Sequence, residues 1–330
     1  MLGINVMATG SYSPANIVTN DDFAKIMDTS DEWIYTRTGM KERRLSQGEP
    51  TWFMAKEAGK KALERANIDP LSIDLIVVAS ITGDFSTPSI SCIVQRELGM
   101  KNATAFDING ACTGFIFAME TARNYFLSGN YSRALIIGAE NLTKTIDYSD
   151  RGSCILFGDG ASSAIIEKAE NKKFFSYTGS KGSGAKYMVA RNVPPYNPFM
   201  RETVHIEDNM PESNKHYLYM DGKEVYKFAI SALPKAVKNV LKRAEMTVDE
   251  LDVIIPHQAN MRIIETACQR MNSSLDKFFV NIEKYGNTSS ASIPLAFDEA
   301  ITSGAIKRGD TVCFVGFGSG LTYGSIIFEY

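Results

Sequence analysis

The feature that most constrains this chain is an internal repeat. The segment AGKKALERANIDPLSIDLIVVA, starting at Ala58, aligns without a gap with AVKNVLKRAEMTVDELDVIIPH, starting at Ala236. Identical residues fall at Ala58/Ala236, Lys60/Lys238, Leu63/Leu241, Arg65/Arg243, Ala66/Ala244, Asp74/Asp252 and Ile76/Ile254. In each copy the apolar positions recur first with helical spacing: Ala58, Ala62, Leu63 and Ala66, then Val237, Val240, Leu241 and Ala244. A short linker and a continuous apolar run follow, Leu75–Ala79 and Val253–Ile255, as expected of strands covered on both faces. A helix–linker–buried-strand unit that occurs twice predicts a duplicated α/β fold.

The correspondence resumes downstream. Ser128-Gly129 matches Ser303-Gly304 and Arg133 matches Arg308, at an offset of 175 residues. Apolar runs follow at Ala134–Ile137 and Val312–Val315, and each half closes on an Ile-rich strand, Ser163–Glu167 and Ser325–Glu329. The 330 residues, long for one domain, divide into an N-terminal half, 1–171, and a C-terminal half, 172–330. The second half opens with a polar stretch, 172–219, carrying Pro194, Pro195, Pro198 and Pro211, which reads as an extended surface connection or lid.

Composition excludes several classes. The 35 basic and 38 acidic residues leave a formal charge of −3, so a nucleic-acid binder is not the default reading. No apolar run reaches the ~18–20 residues of a membrane span. The start, Met1-Leu2-Gly3-Ile4-Asn5-Val6, has no basic region before an apolar core, so no secretory signal is expected. Cys92, Cys112, Cys154, Cys268 and Cys313 show no CxxC spacing, which argues against a zinc cage or a disulfide framework and for a reduced, cytoplasmic protein.

Chemistry concentrates at three places. Cys112 stands in Gly110-Ala111-Cys112-Thr113-Gly114, between a strand-like Ala105–Ile108 and a helix-like Phe115–Phe126. That is a nucleophile-elbow arrangement with sulfur as the nucleophile. A cysteine at a helix N-terminus gains thiolate stability from free N–H groups and the helix dipole. The other four cysteines read as buried and structural. His257 ends the apolar strand 253–255, where α/β folds present reactive groups. At the offset of 175, Cys112 falls on Asn287, in another glycine turn before a helix-like run, Ala291–Ile301. The duplication thus predicts Cys112 and Asn287 at equivalent helix starts, sharing a site with His257. His205 and His216, in the polar stretch, read as solvated loop histidines. Gly316-Phe317-Gly318-Ser319-Gly320 breaks the dinucleotide pattern at Leu321 and leaves no room for a βαβ unit; a backbone donor to an oxyanion suits it better. Gly158-Asp159-Gly160 reads as a turn.

Taken with Thr29-Ser30-Asp31-Glu32-Trp33-Ile34, Thr36-Arg37-Thr38-Gly39, Asp150-Arg151-Gly152, Phe157-Gly158-Asp159-Gly160-Ala161, Pro256-His257-Gln258-Ala259-Asn260 and Tyr285-Gly286-Asn287-Thr288-Ser289, the chain resembles the β-ketoacyl-acyl carrier protein synthase III family of thiolase-superfamily condensing enzymes, essentially end to end. The resemblance implies a thiolase-like α/β fold with five packed layers, α-β-α-β-α. It implies an acyltransferase that initiates fatty acid elongation, with Cys112, His257 and Asn287 as the catalytic set. Cys112 would be acylated by an acyl-CoA; malonyl-acyl carrier protein would then lose CO2, and its enolate would attack the acyl-enzyme.

The resemblance further implies oxyanion donors from the backbone of Cys112 and Ser319, the latter where the family often has glycine. It implies a CoA site with Trp33 and Arg151 around the adenine and Arg37 on the phosphates, together with Asn260, and with Phe317 lining the pocket. Lys227 and Arg262 would meet an acidic carrier protein. Thr87, from a partner chain of a homodimer, would border the acyl channel; a bulky aromatic stands there in acetyl-primed relatives, so primers longer than acetyl are expected unless Phe85 fills the gap. No metal, organic cofactor, nucleic acid or membrane is called for. Weighed against this are a related condensing enzyme for a secondary-metabolite starter unit, a 3-hydroxy-3-methylglutaryl-CoA synthase (which needs a glutamate where this chain offers Asp84), a papain-like Cys-His-Asn thioester hydrolase, and a non-catalytic acyl-CoA binder.

Overall fold

The computed structural model describes residues 2–192, 210–211 and 217–330. Two sheets organise them. In the first, the strands run in the order Leu2–Tyr12, Gly160–Glu170, Arg133–Glu140, Leu75–Ala79, Thr104–Ile108. In the second, the order from the corresponding side is Phe174–Ser180, Thr322–Glu329, Thr311–Gly318, Val253–Pro256. The fifth place in the second sheet is held by a single parallel bridge between Ile254 and Phe278.

Helices Gly114–Leu127 and Ser292–Thr302 lie between the sheets, with Phe115, Met119, Phe297 and Phe314 in one buried cluster that draws on both sheets. Helices Thr51–Ala66 and Ile90–Leu98 cover the outer face of the first sheet. Gly222–Ala244 and Met261–Arg270 cover the outer face of the second. The result is five layers, α-β-α-β-α. The strand Leu75–Ala79 is buried throughout, and Val253–Pro256 is buried from Ile254 on, because helices stand on either side.

The repeated residues perform matching tasks. Asp74 accepts from Ser132 N at 2.8 Å and from Arg133 N, while Asp252 accepts from Thr311 N at 2.7 Å. Each carboxylate thus fixes the start of the neighbouring parallel strand. Arg65 donates to Thr9 O in the first strand of its sheet, and Arg243 donates to Ser176 O in the equivalent strand of the other.

The registers correct part of the sequence reading. Leu75 pairs with Ala134 and Val253 with Val312, so the offset of 178 that separates Ala58 from Ala236 persists through both sheets. It holds at the elbow too: the 3-10 turns Ala111–Thr113 and Ser289–Ala291 correspond, and Ala111 (φ 45°) matches Ser289 (φ 49°). Cys112 is therefore equivalent to Ser290, not Asn287. The offset of 175 is local, because Ser292–Thr302 has 11 residues where Gly114–Leu127 has 14. Three residues are nearly one helical turn, so the shorter helix keeps its buried face. Asn287 lies in the extra connection, including the short helix Ile282–Tyr285, between the Phe278 bridge and this turn.

Three further expectations change. Within the stretch read as polar connection, Phe174–Ser180 is a strand paired to Thr322–Glu329, with Phe174 buried; its alternation is too short to stand out beside the polar residues after it. His205, His216, Pro194, Pro195 and Pro198 lie outside the described residues. Cys92 is exposed, on the side of Ile90–Leu98 opposite Ile90, Ile93 and Val94. Asp159 is more than a turn residue: fully buried, it accepts from Ser46 N (2.8 Å), Thr143 N (3.0 Å) and Thr143 Oγ1 (2.6 Å). Among the described residues no helix is long and apolar enough to cross a membrane.

Candidate active site

Cys112 sits in the turn between the strand Thr104–Ile108 and the helix Gly114–Leu127. Glycine is required around it. A Cβ on Gly318 would come within 2.8 Å of Cys112 N, and one on Gly110 within 2.9 Å of Gly114 Cα. The thiol is buried, and burial pushes it up to about 12; the Ser289 hydroxyl acts in the opposite direction. The resting group is thus a neutral thiol, and desolvation outweighs the favourable helix end invoked from sequence.

His257 follows the strand Val253–Pro256 and is 1% exposed. Its backbone N donates to Val315 O at 2.8 Å, and its ring meets Phe317 edge-on with centroids 5.4 Å apart. Nδ1 lies 2.6 Å from Ser292 Oγ. Burial pulls the imidazole down to about 3, so it is neutral near pH 7. Asn287 is fixed by its backbone, donating to Leu156 O (2.8 Å) and accepting from Gly158 N (3.0 Å). Its Oδ1 accepts from Ser289 N at 2.9 Å, which leaves Nδ2 as the available donor.

Cys112, His257 and Asn287 line one cavity of about 250 Å³, with Phe317, Trp33, Arg37 and Asn260 also in its wall. Met188 and Met220, on the paired two-residue strands Met188–Val189 and Tyr219–Met220, close one side. Asn260 has committed both ends of its amide: Nδ2 donates to Arg37 O, and Oδ1 accepts from Arg262 N as the cap of Met261–Arg270. Gly318 reaches the wall and Ser319 is the next residue; the Ser319 hydroxyl donates to Met188 O at 2.7 Å.

Other expected residues lie at the rim or away from it. The slot foreseen between Trp33 and Arg151 is closed. The Arg151 guanidinium is 4.5 Å from the Trp33 centroid, whereas a base stacked between them needs about 7 Å, two van der Waals contacts. Arg37 also lies over this ring, at 4.4 Å. Lys227, exposed and paired with Glu224 at 2.6 Å, and Arg262, which donates to Thr36 O at 3.1 Å, flank the wall residues Tyr226 and Ile263. Thr87 is exposed and does not line the cavity of its own chain, nor does Phe85, 56% exposed. Asp84 caps the helix Thr51–Ala66 through Thr51 N and Trp52 N and pairs with Lys144, so it is committed to structure.

Sequence reasoning missed the residues beneath the cavity. Glu140, fully buried, accepts from Thr82 Oγ1 (2.6 Å), Ser290 Oγ (2.8 Å), Ile81 N (3.2 Å) and Ser80 Oγ (3.3 Å). Burial pushes its carboxyl up. A charge ending the apolar run 134–139 was a usable signal. Ser290 was readable as the repeat partner of Cys112 at the offset of 178. Ser292 had no signal in the sequence.

Two half-folds that bring Cys112, His257 and Asn287 to one cavity define a thiolase-fold enzyme. Residues 106–182 match the family model for 3-oxoacyl-[acyl-carrier-protein] synthase III, and residues 241–330 match the model for its C-terminal part. The chain is 46% identical over its whole length to a β-ketoacyl-[acyl-carrier-protein] synthase III of Clostridium acetobutylicum, covering 99% of that protein. The crystal structure of a 3-oxoacyl-[acyl-carrier-protein] synthase III from Aquifex aeolicus is 40% identical, with a TM-score of 0.91 over 99% of this chain and all of that one. A priming β-ketosynthase from the R1128 polyketide pathway is 34% identical, with a TM-score of 0.89 over 99% and 96%. The chain belongs to the 3-oxoacyl-[acyl-carrier-protein] synthase III family, condensing enzymes of the acyltransferase class.

Proposed function

We propose that this protein condenses an acyl-CoA primer with malonyl-acyl carrier protein to begin fatty acid elongation. The observation that carries the reading is the convergence of Cys112, His257 and Asn287 on one cavity. Cys112 Sγ attacks the thioester carbonyl, the backbone N–H groups of Cys112 and Ser319 hold the oxyanion, and the acyl group moves to sulfur. The thiol proton leaves with CoA. The malonyl thioester then binds with its carbonyl toward His257 and Asn287 Nδ2. Loss of CO2 leaves an enolate, whose carbon attacks the acyl-cysteine and expels the Cys112 thiolate, which takes a proton from solvent to restore the resting thiol. A neutral imidazole and an amide donate to the enolate oxygen without consuming a charge, and no cofactor enters.

Trp33, Arg37 and Asn260 border the CoA end, and adenine binding swings Arg151 off the Trp33 ring. Lys227 and Arg262 attract an acidic carrier protein. Five free cysteines fit a cytoplasmic setting. Among the described residues, the strand Thr104–Ile108 pairs only with Leu75–Ala79, which leaves its outer edge unpaired there; a second copy of the chain covers it, bringing Thr87 to the partner's acyl channel. Sedimentation as a monomer at micromolar concentration would rule out that assembly.

Intact-mass measurement tests the chemistry. An acyl adduct forms on Cys112, is absent in Cys112→Ser, and is discharged by malonyl-acyl carrier protein with a β-ketoacyl product. No adduct with any acyl-CoA sinks the proposal, and discharge to free acid alone makes the protein a thioester hydrolase. Comparing kcat/KM for acetyl-, butyryl-, isobutyryl- and octanoyl-CoA tests the primer: the small Thr87 predicts the longer ones, and a strong acetyl preference overturns that. Discharge by malonyl-CoA in place of the carrier protein would mark the starter-unit alternative.

A further inference from the structure

We infer that Ser292 is a positioning residue that fixes the tautomer of His257, holding the ring proton on Nε2, where the malonyl thioester needs a donor. The inference rests on the role proposed for His257 above and adds the group that sets it. A neutral imidazole carries one N–H, and which nitrogen bears it is decided by the partner of the other.

Ser292 opens the helix Ser292–Thr302, is 2% exposed, and puts its Oγ 2.6 Å from His257 Nδ1. The same oxygen accepts from Gln258 N at 3.4 Å. An N–H can only donate, so the serine oxygen is already an acceptor on that side. Among the described residues, Nδ1 is the one neighbour of Ser292 Oγ able to accept its proton, since Gln258 N can only donate. If Nδ1 carried the proton instead, Oγ would face two donors, and its own proton would be buried without a partner. Such an arrangement leaves a buried donor unsatisfied. The satisfied arrangement runs Gln258 N–H to Ser292 Oγ, then Ser292 O–H to Nδ1, leaving Nε2–H for the cavity. The Gln258 side chain anchors this segment: its Nε2 donates to Pro256 O, and its Oε1 accepts from Asn281 N.

The acylation step uses backbone donors at Cys112 and Ser319, so the two half-reactions separate the roles. The chain has three histidines, so 15N-histidine labelling gives a small spectrum, and His257→Asn assigns the resonance. Wild type shows His257 as the Nε2–H tautomer. In Ser292→Ala the Nδ1–H tautomer appears, condensation kcat falls on the order of 10²-fold, as for a lost oxyanion donor, and acyl-Cys112 forms at the wild-type rate. Ser292→Thr, which keeps the hydroxyl, restores both. The inference is overturned by an Nδ1–H tautomer in wild type, which needs no variant to fold. It is equally overturned if Ser292→Ala keeps the Nε2–H tautomer, or shifts it while condensing within twofold of wild type. Failure of wild type to form any acyl-Cys112 refutes the proposed function instead and leaves the tautomer measurement standing.

Discussion

The buried histidine makes a quantitative prediction about acid stability. Burial holds His257 at about 3, against an ordinary 6.5. The unfolded chain therefore binds a proton near pH 6.5, and the folded chain does not until about pH 3. This contribution to stability is fully present above pH 6.5 and is lost as the pH falls through the window from 6.5 to 3. The slope is up to ~1.4 kcal/mol per pH unit, so about 2 kcal/mol is gone by pH 5.0. Urea unfolding of wild type and His257→Gln at pH 7.5 and 5.0 isolates the histidine, because every other titrating group is common to both. Wild type should lose roughly 2 kcal/mol more than the variant between the two pH values. Equal losses would refute the reasoning, since they would require an imidazole that is solvated or charged in the folded state.

Other perturbations address how the halves meet. Gly138→Ala drives a Cβ into Ser290 O, a backbone atom that must move; a loss of about 1–3 kcal/mol in urea unfolding is expected, with slower Cys112 acylation. Glu140→Gln turns an amide NH2 toward a site that now receives four donors. It should cost about 1–3 kcal/mol by the same assay, while Ser290→Ala removes a single donor and costs less. Arg43 is fully buried, donating to Ile155 O (2.7 Å) and Asn20 Oδ1 (2.6 Å). Arg43→Lys cannot reproduce this fork and should lower stability by about 3–5 kcal/mol, read as a fall in Tm. Arg151→Ala uncovers one contact of the Trp33 ring; KM for acyl-CoA should change while kcat does not.

Much of the architecture was legible because it rests on one-dimensional periodicity. The strand Leu75–Ala79 appears with the boundaries read from its apolar run, and the helix at Phe115–Phe126 extends by one residue at each end. The elbow at Cys112 was visible because its glycines are dictated by close backbone approach, a local demand that leaves a local mark. Phe174–Ser180 was missed because an edge strand needs only a few alternating residues. The exposure of Cys92 was missed because a helix face is defined by what packs on it.

The sequence by itself determined the duplication, the α/β class, the cysteine elbow and the histidine at a strand end. These follow from residue spacing and from the conformations that glycine alone permits. The tertiary structure decided which positions of the two halves are equivalent. Strand registers carry the 178-residue offset across helices of unequal length, so Cys112 is equivalent to Ser290 and Asn287 belongs to an added connection. It also decided the protonation of the site. The neutral thiol, the neutral imidazole and the Ser292 hydroxyl on Nδ1 all depend on burial and on contacts between distant segments. Desolvation belongs to the packed site as a whole, so no single stretch of the chain encodes it.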